Sequence, residues 1–201
     1  MPHAMNGTAA PLPRCCVITP EPASASAADC AAFLDRLSAV LVRGETLVQL
    51  RVKSLDAAAF APLAAAALAR CDAAGAQLML NGPIDAAGVM RLDGAGWHLD
   101  GTALRAAAQR PLPAERRVSA ACHTLDDLLL AARIGADFVT LSPVLPTLSH
   151  PGAATLGWAR FDALAAQATM PVFALGGMTR AHLDDARRHG AYGIAGIRGF
   201  W

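Results

Sequence analysis

The sequence contains few aromatic residues and no excess of either charge. Aromatic residues make up 5% of the 201 positions, and 17 basic residues are balanced by 16 acidic ones, for a formal net charge of +1. A nearly neutral protein has no overall field that attracts nucleic acid or an anionic membrane. We therefore expect neither as a partner, and any anion site must be local.

Paired metal-binding cysteines and targeting segments are also missing. The five cysteines lack the spacing of a zinc site, and no extracellular signature accompanies them. Residues 1–14 have neither the charged nor the apolar region of a signal peptide, and the apolar run 57–69 is too short to cross a membrane. These absences predict a cytoplasmic protein with reduced thiols and a loose tail over residues 1–14.

Short β-like runs recur between alanine- and leucine-rich helical segments. There are eight such runs, at residues 15–19, 47–51, 77–81, 96–99, 117–122, 137–142, 171–175 and 192–197. Repeated strand–helix units predict an α/β protein, a single (β/α)₈ TIM barrel over residues 15–201, with an open doubly wound sheet as the alternative. The last helix is truncated, so we expect the N-terminal tail or a partner subunit of a homo-oligomer to cover that side.

The stretch LVQLRVKSLD, residues 47–56, has a long polar side chain at every second position. Gln49, Arg51 and Lys53 alternate with apolar residues. Such alternation is typical of a strand with one face in water. It also fits three donors that project into an anion site, since amide, guanidinium and ammonium groups all bind oxyanions. This stretch alone leaves both interpretations open.

Other polar and glycine residues follow the predicted strands, at the end of a barrel that usually carries the active site. Asn81 ends the third strand, and a long loop after the sixth contains Thr147, Ser149 and His150. After the last two strands, glycines would let backbone N–H groups reach a phosphate, as in many such barrels. The residues that suit this second site are Gly176, Gly177, Gly196, Ile197 and Arg198.

Several of these motifs together are characteristic of one family. VQLRVK, GADFVTLSPVLPTLSHPGA, PVFALGGMT and GAYGIAGIRGF resemble thiamine phosphate synthase and its thiazole tautomerase relatives, and the resemblance spans residues 15–201. They also resemble the synthase-like domain that is fused to some Nudix hydrolases, although the chain has no Nudix box. The resemblance implies thiamine biosynthesis: a transferase that joins hydroxymethylpyrimidine diphosphate to thiazole phosphate with loss of diphosphate.

The resemblance also implies roles for individual residues, and it favours the anion-site interpretation of the second strand. The residues that match diphosphate contacts of the family are Gln49, Arg51, Lys53, Asn81, Thr147 and Ser149. The glycines after the last two strands, Gly176, Gly177 and Gly196, match the cradle of thiazole phosphate. Arg198 stands where the family usually has a serine, so its fork either grips the phosphate or belongs to a solvated helix start. His150 stands where the family has a lysine, and we take it as the candidate catalytic residue because imidazole titrates near neutral pH.

The sequence departs from the family at its Mg²⁺ ligands. The resemblance places the two metal carboxylates at Gly82 and Ala103, so no metal ligand is assigned; Asp100 is either a substitute ligand or a helix cap. The serine of the family's fifth-strand motif is Ala121, beside the matching His123, and the histidine of the tautomerases falls at Pro143. Three hypotheses follow: a synthase with altered metal use, a catalytically silent binding barrel, or a tautomerase that uses His150.

Overall fold

Eight parallel strands close into a barrel in the computed structural model, which describes residues 11–147, 152 and 154–201. Neighbours along the chain pair with each other, and β8 pairs with β1. The predicted TIM barrel is confirmed, and each predicted strand end lies within one residue of the observed one. The strands are β1 (Cys15–Ile18), β2 (Leu47–Arg51), β3 (Gln77–Asn81), β4 (Gly96–Leu99), β5 (Val118–Cys122), β6 (Phe138–Leu141), β7 (Val172–Leu175) and β8 (Gly193–Gly196).

Helices connect the strands and surround the barrel. Five of them begin at a side chain that accepts a hydrogen bond from a backbone N–H of the first turn, which satisfies a donor that the helix itself leaves free: Ser26, Asp56, Asp85, Asp100 and Thr124. The helices are α1 (Ala27–Val42), α2 (Ala57–Ala73), α3 (Ala86–Met90), α4 (Gly101–Ala106), α5 (Leu125–Arg133), α6 (Gly157–Ala165) and α7 (Leu183–Arg188). None of these described helices has the length and apolar character that a membrane crossing requires.

The alternation of strand residues divides the core into two layers. Val48 and Leu50 point outward and pack with the helices, whereas Leu47 belongs to a second cluster inside the barrel. Gln49 and Arg51 have the same parity as Leu47 and therefore point inward. The polar residues of β2 therefore face the barrel interior and not the solvent, and Gln49 is only 2% exposed.

The chain's own last residues cover part of the side where an eighth helix would pack. A turn follows β8, and Phe200 is buried against the barrel. Arg43, at the end of α1, donates a hydrogen bond of 2.7 Å to the Phe200 carbonyl, and the rings of Trp201 and Phe33 lie 5.2 Å apart. Within the described residues, the end of the chain thus covers part of this side, and further cover by the tail or by a partner subunit stays a prediction.

Residues just before β1 contact the end of the barrel at which the strands begin. Leu12 packs against the inner cluster, and its carbonyl accepts a hydrogen bond from the Tyr192 hydroxyl. The Arg14 guanidinium donates to the Tyr192 carbonyl at 2.6 Å, and the Arg14 carbonyl accepts from Ile194 N–H at 2.9 Å. Leu12 and Arg14 of the predicted tail are therefore held in place, and the boundary at residue 15 remains a prediction.

Candidate active site

Glu21, in the loop after β1, holds the end of β2. Its carboxylate accepts hydrogen bonds from the backbone N–H groups of Lys53 and Ser54, from the Ser54 hydroxyl at 2.8 Å and from Nη1 of Arg51 at 3.2 Å. Thr19 extends the pairing of the strands, because its hydroxyl accepts from Arg51 N–H. Sequence reasoning missed Glu21, since a glutamate between two prolines carries no recognisable signal.

Asp100 bridges α4 and the cation that follows β2. One carboxylate oxygen accepts from the N–H groups of Thr102 and Ala103, and the other lies 2.9 Å from Nζ of Lys53. Partial burial alone would raise the pKa of the Asp100 carboxyl, but the Ala103 N–H, the Lys53 ammonium and the Thr102 N–H together lower it. We call Glu21, Arg51, Lys53 and Asp100 the charged rim.

Polar side chains line the barrel interior beneath the charged rim. Nδ1 of His98 lies 2.8 Å from the Ser119 hydroxyl, and both residues are buried. Burial lowers the pKa of His98 to about 3, and the nearby Lys53 and Arg51 charges add to the effect against the opposing Asp100 charge. His98 is therefore neutral at physiological pH. Nε2 of Gln49 is buried and has no hydrogen-bond partner among the described residues.

The third strand brings Asn81 beside Arg51 and places Gly82 in a crowded position. Asn81 is 7% exposed and pairs with Arg51 in the β2–β3 register. A Cβ atom at Gly82 would lie 2.6 Å from the Phe60 ring and 2.7 Å from the Val52 carbonyl oxygen. The second contact is with backbone and cannot relax easily. Residue 82 therefore has no room for a side chain in this structure.

Glycines form the second part of the barrel mouth, after β7 and β8. Gly176 and Gly177 have φ values of 100° and 70°, and a Cβ at either would lie within 3 Å of Pro143 or Leu145. Among the described residues, no acceptor is found for the N–H groups of Gly177, Ile197 and Arg198. We call Gly176, Gly177, Gly196, Ile197 and Arg198 the glycine rim.

Arg198 extends from the glycine rim into a cleft of about 420 Å³. Arg43, Arg180 and Trp201 also line this cleft. The Arg180 guanidinium forms an ion pair with the buried Glu45 and lies over the Phe200 ring. Arg198 itself is exposed and is not held by an ion pair with any described residue.

The long loop after β6 is described only in part. Thr147 is half-buried, whereas Ser149 and His150 lie outside the described residues, so their assignment remains a prediction. Nδ1 of His123, just after β5, lies 2.8 Å from the Ser142 carbonyl oxygen at the start of the loop, so this histidine links the ends of β5 and β6. Ala121 faces the same interior as Ser119, two residues before it on β5.

Comparison with known proteins identifies the family. The model of the family described as thiamine monophosphate synthase matches residues 15–200. The chain belongs to the thiamine monophosphate synthase family. A putative thiamine-phosphate synthase 2 of Aquifex aeolicus is 34% identical over 168 residues, covering 84% of this chain and 89% of that protein. The thiamine-phosphate synthase of Chlorobium luteolum is 33% identical over 195 residues, covering 96% and 86%.

Solved structures agree on the fold. The thiamine phosphate pyrophosphorylase from Pyrococcus furiosus superposes with a TM-score of 0.70 at 19% identity, covering 92% of this chain and 85% of that one. A KDPGal structure superposes with a TM-score of 0.59 at 15% identity, covering 95% and 84%. At such identities the likeness shows only that the architecture is shared.

The thiamine monophosphate synthase family uses Mg²⁺, but the residues at this barrel mouth do not fit that ion. Gly82 and Ala103 offer no ligand, and both carboxylate oxygens of Asp100 are engaged. Over residues 11–147, 152 and 154–201, no group of three or more His, Cys, Asp or Glu side chains lies close enough to hold a metal. Mg²⁺ prefers oxygen ligands that include one or two carboxylates, so the family's metal position is not built here.

Proposed function

We propose that this protein makes thiamine phosphate from hydroxymethylpyrimidine diphosphate and thiazole phosphate. Gln49, Arg51, Lys53 and Asn81 hold the diphosphate, together with Thr147 and Ser149 of the loop. The glycine rim holds the phosphate of the thiazole. The observation that carries the proposal is that the inward Arg51, at the end of β2, and Lys53, just after it, share the barrel mouth with backbone N–H groups that follow β7 and β8 and have no acceptor among the described residues.

Each of the two sites has the donors that its ligand needs. The Arg51 guanidinium and the Lys53 ammonium provide charge-assisted hydrogen bonds, which are stronger than neutral ones. The buried Gln49 amide has a donor to offer inside the barrel, and buried polar groups are rarely left unpaired. On the glycine rim, backbone N–H groups bind a phosphate without a side chain in the way.

The chemistry requires the protein to stabilise a leaving anion. The bond between the methylene carbon and the diphosphate oxygen breaks, and the electron pair leaves with the diphosphate. The thiazole nitrogen then donates its lone pair to the methylene cation, so the positive charge ends on the ring nitrogen and no proton is transferred. Preorganised cations beside the departing oxygen lower the activation barrier of this step. Arg51 and Lys53 are the residues in position to do so.

The test is product formation from both substrates. Purified protein should release diphosphate and form thiamine phosphate, detected by oxidation to its fluorescent thiochrome, and Arg51→Ala should reduce the rate. If both substrates bind without turnover, the catalytically silent binding barrel replaces the synthase. Conversion of a thiazole tautomer without coupling would instead favour the tautomerase, which we regard as less supported because Pro143 cannot transfer a proton.

A further inference from the structure

We propose that His182 positions the glycine rim for the phosphate of the thiazole, because its imidazole holds the end of the loop that follows β7. The inference rests on the proposed function, from which it takes the ligand of this rim, and it adds a residue that none of the sequence motifs indicated. His182 acts through the backbone of Thr179 and not through contact with the ligand. It is therefore a positioning residue.

The His182 imidazole closes the end of the loop. Its Nδ1 lies 3.0 Å from the backbone nitrogen of Thr179 and 3.0 Å from the Thr179 hydroxyl oxygen. The Thr179 N–H donates to Nδ1, so this nitrogen carries no proton and the neutral ring has its proton on Nε2. In return, the His182 N–H donates to the Thr179 carbonyl at 3.0 Å. These hydrogen bonds fix Thr179 relative to the short helical turn Arg180–His182, which leads into α7.

Met178 and Thr179 also contact the turn that follows β8. A Cβ atom at Gly199 would lie 2.9 Å from the Met178 carbonyl oxygen and 3.1 Å from the Thr179 Cα, and one at Gly196 would lie 3.1 Å from the same carbonyl oxygen. Contacts this close require the two backbones to pack directly on each other, with no side chain between them. The loop end that His182 holds is therefore the surface on which the turn after β8 packs.

The glycine rim takes its donors from both of these segments. Gly177 lies two residues before Thr179, whereas Ile197 and Arg198 lie in the turn after β8, and the N–H groups of all three lack an acceptor among the described residues. One phosphate can accept from both segments only if their spacing is fixed, because a hydrogen bond weakens steeply outside a narrow range of distance and angle. The contact of His182 with Thr179 fixes this spacing.

A cap that only stabilised α7 would have a different effect, and the chain offers a control for it. His189 lies at the other end of α7, and its ring stacks on Trp158 with the centroids 5.1 Å apart and the planes 10° from parallel. Removal of the His189 ring weakens the packing of the same helix but leaves Thr179 untouched. The two histidines therefore separate the stability of α7 from the geometry of the loop.

The decisive measurement is calorimetric titration with thiazole phosphate. His182→Ala and the bulkier His182→Leu both lack an acceptor, and we expect each to weaken binding about tenfold, the equivalent of one displaced hydrogen bond to a charged group. His182→Asn should restore the affinity to within about twofold, because its amide oxygen, like Nδ1, lies two bonds from Cβ and accepts. His189→Ala should also stay within about twofold, and no variant should change the affinity for hydroxymethylpyrimidine diphosphate.

Steady-state kinetics adds a readout that a loss of stability alone would not produce. Because His182 shapes a binding site and does not touch the reacting atoms, His182→Ala should raise the KM for thiazole phosphate about tenfold and leave kcat within about twofold. The KM for hydroxymethylpyrimidine diphosphate should stay unchanged. A lower kcat at an unchanged KM contradicts the inference.

Three binding results overturn the inference: an unchanged affinity for thiazole phosphate in the folded Ala or Leu variant, an equal loss in His189→Ala, or a loss that His182→Asn does not repair. Urea denaturation verifies that each variant is folded. Thiamine phosphate synthesis by a protein that is insensitive to these changes would refute this inference and leave the proposed function standing. A repairable loss of thiazole phosphate binding in a protein that forms no thiamine phosphate would do the reverse, and a wild type that does not bind thiazole phosphate overturns both.

Discussion

The charged rim and the glycine rim both offer hydrogen-bond donors to an anion, but the donors differ in kind. In the charged rim, long side chains provide the donors, and Glu21 and Asp100 hold them before any ligand arrives. In the glycine rim, the backbone itself provides the donors, and the close approach of β7 to the loop after β6 fixes it.

The difference determines what each rim tolerates. A side-chain site can exchange one cation for another, because its geometry is set by ion pairs that adjust. A backbone site depends on φ values near +70° to +100° and on the absence of a Cβ, so it tolerates almost no change. We therefore expect the largest mutational effects at the glycine rim.

The first test is Gly177→Ala, with Gly75→Ala as its matched control. Both glycines have a φ near +70°, but a Cβ at Gly75 meets nothing within 4 Å, whereas one at Gly177 lies 2.8 Å from the Pro146 carbonyl oxygen. We expect a loss of about 1 kcal/mol in unfolding free energy for Gly75→Ala and about 3 kcal/mol for Gly177→Ala, by urea denaturation. Equal losses would show that the close approach of Gly177 to Pro146 does not affect the unfolding free energy of the variant.

The second test removes one cation from each rim. Arg51→Ala should weaken diphosphate binding by about 1.5–3 kcal/mol, because a charge-assisted fork is lost, and should leave thiazole phosphate binding nearly unchanged. Arg198→Ala should affect only thiazole phosphate. Calorimetry with each ligand measures the two affinities separately. Equal losses for both ligands in either variant would show that the two rims form a single site.

The third test concerns the histidine beneath the charged rim. Folded His98 has a pKa of about 3, against an ordinary value of 6.5, so below pH 6.5 the unfolded chain binds a proton that the folded chain does not. The unfolding free energy should therefore fall by about 1.4 kcal/mol per pH unit as pH drops from 6.5 toward 3. Urea denaturation between pH 7 and 5 measures the slope. His98→Gln should flatten it, and an identical slope in both proteins would contradict the buried neutral state.

The smallest effect is expected from Glu21→Gln. The amide keeps one acceptor oxygen but loses the charge and replaces the other acceptor by a donor, so the Lys53 and Ser54 N–H groups lose partners. We expect diphosphate affinity to fall by about 1 kcal/mol, measured by the same titration. A rise in affinity would mean that Glu21 competes with the ligand for Arg51 rather than holding the rim.

The barrel could be predicted from the sequence because its signals are local. Eight apolar runs, hydroxyl and carboxylate caps such as Asp56 and Thr124, and glycines at helix ends each act within a few residues. The inward direction of Gln49 and Arg51 could not be read from β2 alone, since the same alternation occurs in a strand that faces water. Only closure of the barrel decides between the two.

The pairs that hold the site escaped prediction because they join distant segments. Glu21 meets Arg51 only through the β1–β2 register, and Lys53 meets Asp100 across β3. Likewise, nothing near Gly82 in the sequence indicates that Phe60, on α2, fills the space beside it. Side-chain packing across elements thus determines both the organisation of the rim and its loss of a carboxylate position.

The closing of β8 on β1 has a consequence for the order of folding. Cys15 pairs with Ile194, and the Arg14 carbonyl bonds to Ile194 N–H, so these hydrogen bonds join segments nearly the whole chain apart. Contacts of such separation form late, since most of the chain must be ordered first. During synthesis, β1 can therefore pair only with β2 until β8 has left the ribosome. We expect hydrogen exchange during refolding to show protection of β2 and β3 amides before that of β8.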